Sequence, residues 1–146
     1  MSDHDDQASP DRPEVITLTL PAKAELVSLA RLTAAAVGSR AGFDVEEIED
    51  LRLAVDELVV SFEPVHAGGT LQLRYSHDGA TLTIECTIEP GATAHPTDGI
   101  AGGELWGVER DLSQQILAAL VDECGQDIRD GQPCVWFRKH RATAAT

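Results

Sequence analysis

Few residues of this 146-residue chain have the types and spacings that do chemistry. Cys86, Cys124 and Cys134 are odd in number and lack the CxxC or Cys/His spacing of a zinc site. They read first as buried free thiols, because reduced Cys packs as a small hydrophobe, with a redox switch as the alternative. His4, His66, His77, His95 and His140 are scattered and define no metal site. Gly102, Gly103 and Gly107 lie in a glycine-rich stretch that by itself reads as a flexible loop. Glu57 and Ser61 stand four residues apart and share one face if their segment is helical. Taken alone, Glu57 reads as a solvated or salt-bridged helix carboxylate, and Ser61 carries no functional signal.

The elements that must position these groups follow from periodicity. Residues 1–13 are polar, rich in Asp and interrupted by Pro10 and Pro13, which predicts a disordered acidic tail. Glu14 to Leu20 predicts a first strand ending at Pro21. From Ala24 to about Arg40, Leu26, Leu29, Ala30 and Val37 recur at helical spacing, with Gly38 and Gly42 as stop signals. Asp44 and Glu47 form a D-x-x-E capping box for a second helix. Its apolar stripe is Leu51, Ala54, Val55, Leu58, Val59 and Phe62, and Pro64 should end it.

Two strand-like runs, Thr70 to Ser76 and Thr81 to Ile88, flank Asp78-Gly79, a hairpin signal. Gly91 to Gly107 holds five glycines and reads as a long loop. Val108 to about Cys124 predicts a third helix with Gly125 as its C-terminal cap, carrying Leu112, Ile116, Leu117, Ala119 and Leu120 at helical spacing. Gln126 to Arg129 and Cys134 to Lys139 close the chain around Asp130-Gly131. Helices interleaved with hairpins imply an α+β fold: a two-layer α/β sandwich, with helices on one face of a mixed, mostly antiparallel sheet of about five strands. One domain is expected over residues 14–140, with a flexible tail at 141–146.

A formal charge of −14 argues against direct nucleic-acid binding, which requires clustered Lys and Arg on the phosphate backbone. Acidity serves solubility and also speeds encounter with a basic partner. No run approaches the roughly 20 apolar residues that span a bilayer, and the N-terminus has no basic start followed by an apolar segment, so a cytoplasmic protein is expected.

The run from Leu18 to Leu58 resembles the anti-sigma factor serine kinases of the RsbW type, members of the GHKL (Bergerat-fold, histidine-kinase-like) ATPase superfamily. Pro21-Ala22-Lys23, Glu46 to Leu51 and Leu53 to Glu57 carry the resemblance, and Ala119 to Glu123 followed by a hairpin is similar to the family's ending. The resemblance implies a protein that sequesters an alternative sigma factor until an anti-anti-sigma (STAS-type) partner displaces it. It also implies ATP and Mg²⁺ as cofactors, and a homodimer is a further expectation.

In the family a Glu acts as or orients a general base, and an Asn four residues on helps hold Mg²⁺. Glu57 matches the first position, while Ser61 occupies the second, with a shorter reach toward a metal. An Asp-x-Gly-x-Gly motif reads adenine in the family; here Glu89-Pro90-Gly91 stands, one methylene longer and one glycine short. The phosphate-covering glycines are displaced to Gly102 and Gly103. The resemblance places the sigma-factor surface near the first helix, around Arg31 and Arg40, which otherwise read as surface charge. These departures lead to the expectation of an anti-sigma factor with weak or absent kinase activity. An active ATP-dependent serine kinase for an anti-anti-sigma factor, and a non-catalytic adaptor or dimerisation module in another circuit, are the alternatives.

Overall fold

The computed structural model describes residues 14–60, 68–89 and 103–142, except for the side chains of 103–111. The elements run β1 (Glu14–Pro21), a 3-10 turn (Ala24–Leu26), α1 (Val27–Arg40), α2 (Val45–Val60), β2 (Thr70–Asp78), β3 (Thr81–Glu89), α3 (Gly103–Leu120), β4 (Glu123–Arg129) and β5 (Gln132–His140). The strands form one sheet in the order β1-β2-β3-β5-β4. Every pair in it is antiparallel, so the sheet is not mixed. The helices cover one face, as expected for the two-layer sandwich.

Strand alternation decides which face is covered. Leu71, Leu73 and Tyr75 on β2 register with Ile88, Cys86 and Ile84 on β3, and the latter two with Val135 and Phe137 on β5. All are buried. Against them α2 lays Leu51, Ala54, Val55, Leu58 and Val59, the expected stripe except for Phe62, which lies outside the described residues together with Pro64. Each fully buried Leu or Val of this stripe is worth about 1.5–3 kcal/mol of apolar transfer. The capping box forms as read: the Glu47 amide donates to Asp44 Oδ1 at 2.8 Å, and the Asp44 amide to Glu47 Oε1 at 2.9 Å. The other Glu47 oxygen accepts from the Ala142 amide at 2.7 Å, so the same carboxylate holds the chain beyond β5 against the start of α2.

Both hairpin turns exist. The first centres on Gly79 and Ala80, one residue later than the Asp78-Gly79 signal, with Gly79 at φ +61°. At the second, Asp130 and Gly131 both have positive φ, 53° and 77°, as a type I′ turn requires.

Four local readings are corrected. The chain from Ala24 begins as a 3-10 turn, and α1 proper starts at Val27. Gly38 does not stop α1: it lies inside the helix, where an added Cβ would meet Leu51 Cδ1 at 2.7 Å, so its lack of a side chain lets α2 approach. The stop is Gly42, at φ +87°, with amide bonds from Gly42 to the Ser39 carbonyl and from Phe43 to the Gly38 carbonyl, a Schellman motif. α3 starts at Gly103, five residues before its expected start, and ends at Leu120. Gly125 is therefore not a cap but a residue of β4, where an added Cβ would lie 2.8 Å from the Trp136 ring. The helix faces agree with expectation only in part: Ala30, Val37 and Leu117 are buried as read, while Leu29, Leu112 and Ile116 are exposed and Ala34 and Ser113 are buried.

Candidate functional site

The candidate site is organised by α2, the middle helix, which packs against α1 on one side and α3 on the other. With its core stripe pinned to the sheet, α2 holds Glu57 half-buried in its last turns. Ser61 lies outside the described residues, as do Gly91 and Gly102. Glu89 is the exposed last residue of β3, paired with Thr70. Gly103 is the first residue of α3. Val59 of α2 and Ile88 of β3 line one small apolar pocket with Lys23 at its lip, so the end of β3 adjoins the last turn of α2. Residues two apart on a helix do not share a face, so this pocket lies on a different side of α2 from Glu57.

The two arginines assigned to partner binding are placed apart. Arg31 on α1 faces α2, with Nε 3.4 Å from Asp56 Oδ1. That separation is an ion pair without hydrogen-bond alignment, and Nε is buried with no hydrogen-bond partner among the described residues. Arg40, about 13 Å further along α1 at 1.5 Å per residue, makes a two-pronged contact with Glu14 at the start of β1, with both N–H···O distances 2.8 Å. The bidentate guanidinium lowers the Glu14 pKa from its ordinary value, chiefly through these hydrogen bonds. Arg31 therefore belongs to the α1–α2 seam and Arg40 to the outer edge of the sheet.

Four side chains near the helical layer escaped the sequence reading. Lys139 is only 9% exposed: its Nζ donates to the carbonyl of Leu120 at 2.8 Å and stands 3.6 Å from Asp50 Oδ2. It ties β5 to the end of α3 and to α2. Its position in the alternation Val135, Phe137, Lys139 was a readable signal that it shares the core face. Ser113 is buried on α3, and Gln114 beside it has a buried Nε2 with no partner among the described residues. Tyr75 donates its hydroxyl to the Ala30 carbonyl at 2.9 Å, locking α1 to the sheet, and burial raises its pKa.

On the opposite face of the sheet, Glu85 accepts from Arg129 and lies 3.7 Å from Arg74, while Arg129 Nε is 3.6 Å from Asp127. Arg138 stacks 4.8 Å over Trp136. Cys86 and Cys134 are buried, and Cys124 is half-buried. Desolvation raises all three thiol pKa values, the opposite of what activates a thiolate.

The donor chemistry bears directly on a nucleotide. Protein-bound Mg²⁺ commonly keeps several waters and takes one or two protein oxygens beside the nucleotide phosphates. The described residues of the expected set offer one half-buried carboxylate, Glu57, and one exposed carboxylate at a strand end, Glu89. Ser61, Gly91 and Gly102, the remaining metal, base and phosphate positions of that set, lie outside the described residues.

A serine-protein kinase RsbW from Listeria monocytogenes serotype 4a (strain HCC23) is 56% identical to the chain over 46 residues, 32% of this chain and 29% of that protein. The protein of the same name from Halalkalibacterium halodurans is 39% identical over 67 residues, 44% of this chain and 41% of its own length. Over these stretches the chain is similar to the RsbW-type serine-protein kinases. A third relative of this name, from Bacillus cereus (strain B4264), is 36% identical over 74 residues, 51% of this chain and 41% of that protein. The chain thus spans 29–41% of the length of these RsbW relatives. No family model matches it. Among the described residues no helix is long and apolar enough to cross a membrane.

Proposed function

We propose that the chain is an RsbW-type anti-sigma factor, which sequesters an alternative sigma factor and releases it when an anti-anti-sigma partner of STAS type competes for the same protein. The observation that carries this reading is the likeness to the RsbW kinases combined with a sequence that keeps the family's Glu57 on α2 while Ser61 stands at the family's Asn position. A protein that has kept its scaffold while its nucleotide groups have changed works through binding. Kinase activity is therefore weak or absent, and the protein acts in the cytoplasm, where sigma factors operate.

Within this reading, Glu57 is the remaining catalytic position, able to take or guide a hydroxyl proton. Ser61 stands where a metal ligand would be, with Glu89 and Gly91 at the base-reading end and Gly102 and Gly103 at the phosphate end. Arg31 and Arg40 belong to the sigma-factor surface. Arg40 pairs with Glu14 at an exposed position where solvent screens the contact, so a partner carboxylate can compete for it.

The test is sigma-directed transcription in vitro with wild type and Glu57→Gln, with and without the anti-anti-sigma partner, alongside titration calorimetry with ATP and Mg²⁺. Equal inhibition and release by both proteins, with no phosphoserine on the partner and no tight ATP binding, is the expected result. Tight ATP binding lost in Glu57→Ala, or release reset only by wild type with ATP, would establish the kinase instead. Failure to capture any sigma factor would leave the adaptor reading.

A further inference from the structure

Tyr75 is the largest of the fully buried side chains and, unlike Phe137 and the aliphatic ones around it, carries a polar atom. A hydroxyl in an apolar core costs free energy unless it is bonded, and this one donates at 2.9 Å to the Ala30 carbonyl. Burial raises its pKa, so it stays a protonated donor. The Ala30 carbonyl and the Arg31 amide belong to one peptide plane. The hydroxyl therefore grips the turn of α1 from which the Arg31 side chain leaves.

Little else fixes α1 at that turn. The helix rests on the sheet there through Ala30 and Ala34, both fully buried, and such small side chains make low ridges that resist rotation of a helix weakly. The contact of Arg40 with Glu14 lies at the far end of the helix on an exposed edge, where solvent screens it. Among the described residues Tyr75 makes the one buried hydrogen bond between α1 and the sheet.

Arg31 stands in a geometry that needs such a hold. Its Nε is buried, has no hydrogen-bond partner among the described residues, and lies 3.4 Å from Asp56 Oδ1 out of alignment. A small rotation of α1 would turn the N–H onto that oxygen and close the guanidinium on α2, a charge-assisted bond that the observed geometry forgoes. The side chain instead remains 37% exposed at the seam.

We propose that Tyr75 is a positioning residue for partner binding: through the Ala30 carbonyl its hydroxyl keeps the Arg31 guanidinium open at the α1–α2 seam, where a partner's carboxylate meets it. That Arg31 meets a partner rests on the anti-sigma reading; that Tyr75 holds Arg31 does not.

Tyr75→Phe removes one oxygen and keeps the ring, and the Ala30 carbonyl retains its helical bond from the Ala34 amide, so the fold survives. The first measurement needs no partner: exchange of the Arg31 Nε–H with solvent, followed by NMR of arginine-labelled protein. In Tyr75→Phe it should slow by about fivefold, the weight of one net hydrogen bond, as the N–H turns onto Asp56. A merely structural role predicts the opposite sign, since a loosened helix admits water. The second measurement is the affinity for a purified alternative sigma factor that the wild type inhibits. Tyr75→Phe should bind it about fivefold more weakly, and adding Asp56→Ala, which removes the carboxylate that captures Arg31, should recover most of the loss. Exchange at the wild-type rate or faster, or a binding loss that Asp56→Ala does not recover, would overturn the proposal. If the wild type inhibits no sigma factor, the anti-sigma reading fails and the partner's part with it, while the exchange rate still decides whether Tyr75 holds Arg31.

Discussion

Replacing Lys139 with Met keeps a flexible apolar stem of similar length and removes the ammonium, which isolates what that charge does. In the native protein Nζ donates at 2.8 Å to the carbonyl of Leu120, the last residue of α3. The last four carbonyls of a helix have no partner within it, so this bond satisfies a group that otherwise needs water. A hydrogen bond to a charged group contributes about 1.5–3 kcal/mol. The second contact, 3.6 Å to Asp50, adds little, because that carboxylate is 43% exposed and stays hydrated when the ammonium leaves. The expected loss is therefore about 2 kcal/mol, or a fall in Tm of about 4–8 °C for a chain of this size. Urea unfolding followed by circular dichroism measures it, with Asp50→Asn and the double variant completing a cycle whose coupling should stay below about 1 kcal/mol. A Lys139→Met protein within about 0.5 kcal/mol of wild type would mean that the ammonium is effectively solvated. The claim that it anchors α3 to the sheet would then be wrong.

Three further outcomes follow from contacts and burial. Gly125→Val places a branched side chain where Trp136 already stands 2.8 Å from an added Cβ, and overpacking of this kind costs about 1–3 kcal/mol; urea unfolding gives the value, and a shift in native tryptophan emission reports the displaced ring. Burial pushes the Cys86 thiol up and leaves Cys134 almost wholly inaccessible, so an aromatic disulfide reagent should modify Cys124 first in the native protein and all three thiols only after denaturation. Because Arg40 holds the Glu14 carboxyl below its ordinary value, the contact stabilises the fold above the unfolded-state Glu pKa and is lost as pH falls through the lower folded value. Carbon-detected NMR titration of Glu14 should show that depressed value in wild type and a return toward the ordinary one in Arg40→Gln.

The resemblance carried by Leu18 to Leu58 was legible because it lies in local, contiguous residues, and the curated relatives agree with it over part of the chain. Local signals also fixed the elements whose physics is local. The Asp44–Glu47 box, the stripe on α2 and the I′ turn at Asp130-Gly131 each involve residues within a few positions, so their side-chain types decide the outcome. The start of α3 was misread because Gly103 and Gly107 weigh against a helix by about 1 kcal/mol each, and packing against α2 offsets such a local preference.

What only the tertiary structure decided is where distant segments meet. Gly38 and Gly125 look like punctuation in the sequence, yet each is small because Leu51 or Trp136 comes within 3 Å of where its side chain would be. Arg31 and Arg40 look alike until α1 is docked, when one faces Asp56 and the other Glu14. Alternation along β5 puts Lys139 on the covered face, but its partners, the Leu120 carbonyl and Asp50, are set only when β5 lies between β3 and β4 beneath the helices. The sequence by itself determined most of the elements, because periodicity and capping act over a few residues. The partners of each side chain required the fold, because strand order and helix docking are set by the burial of the whole core at once.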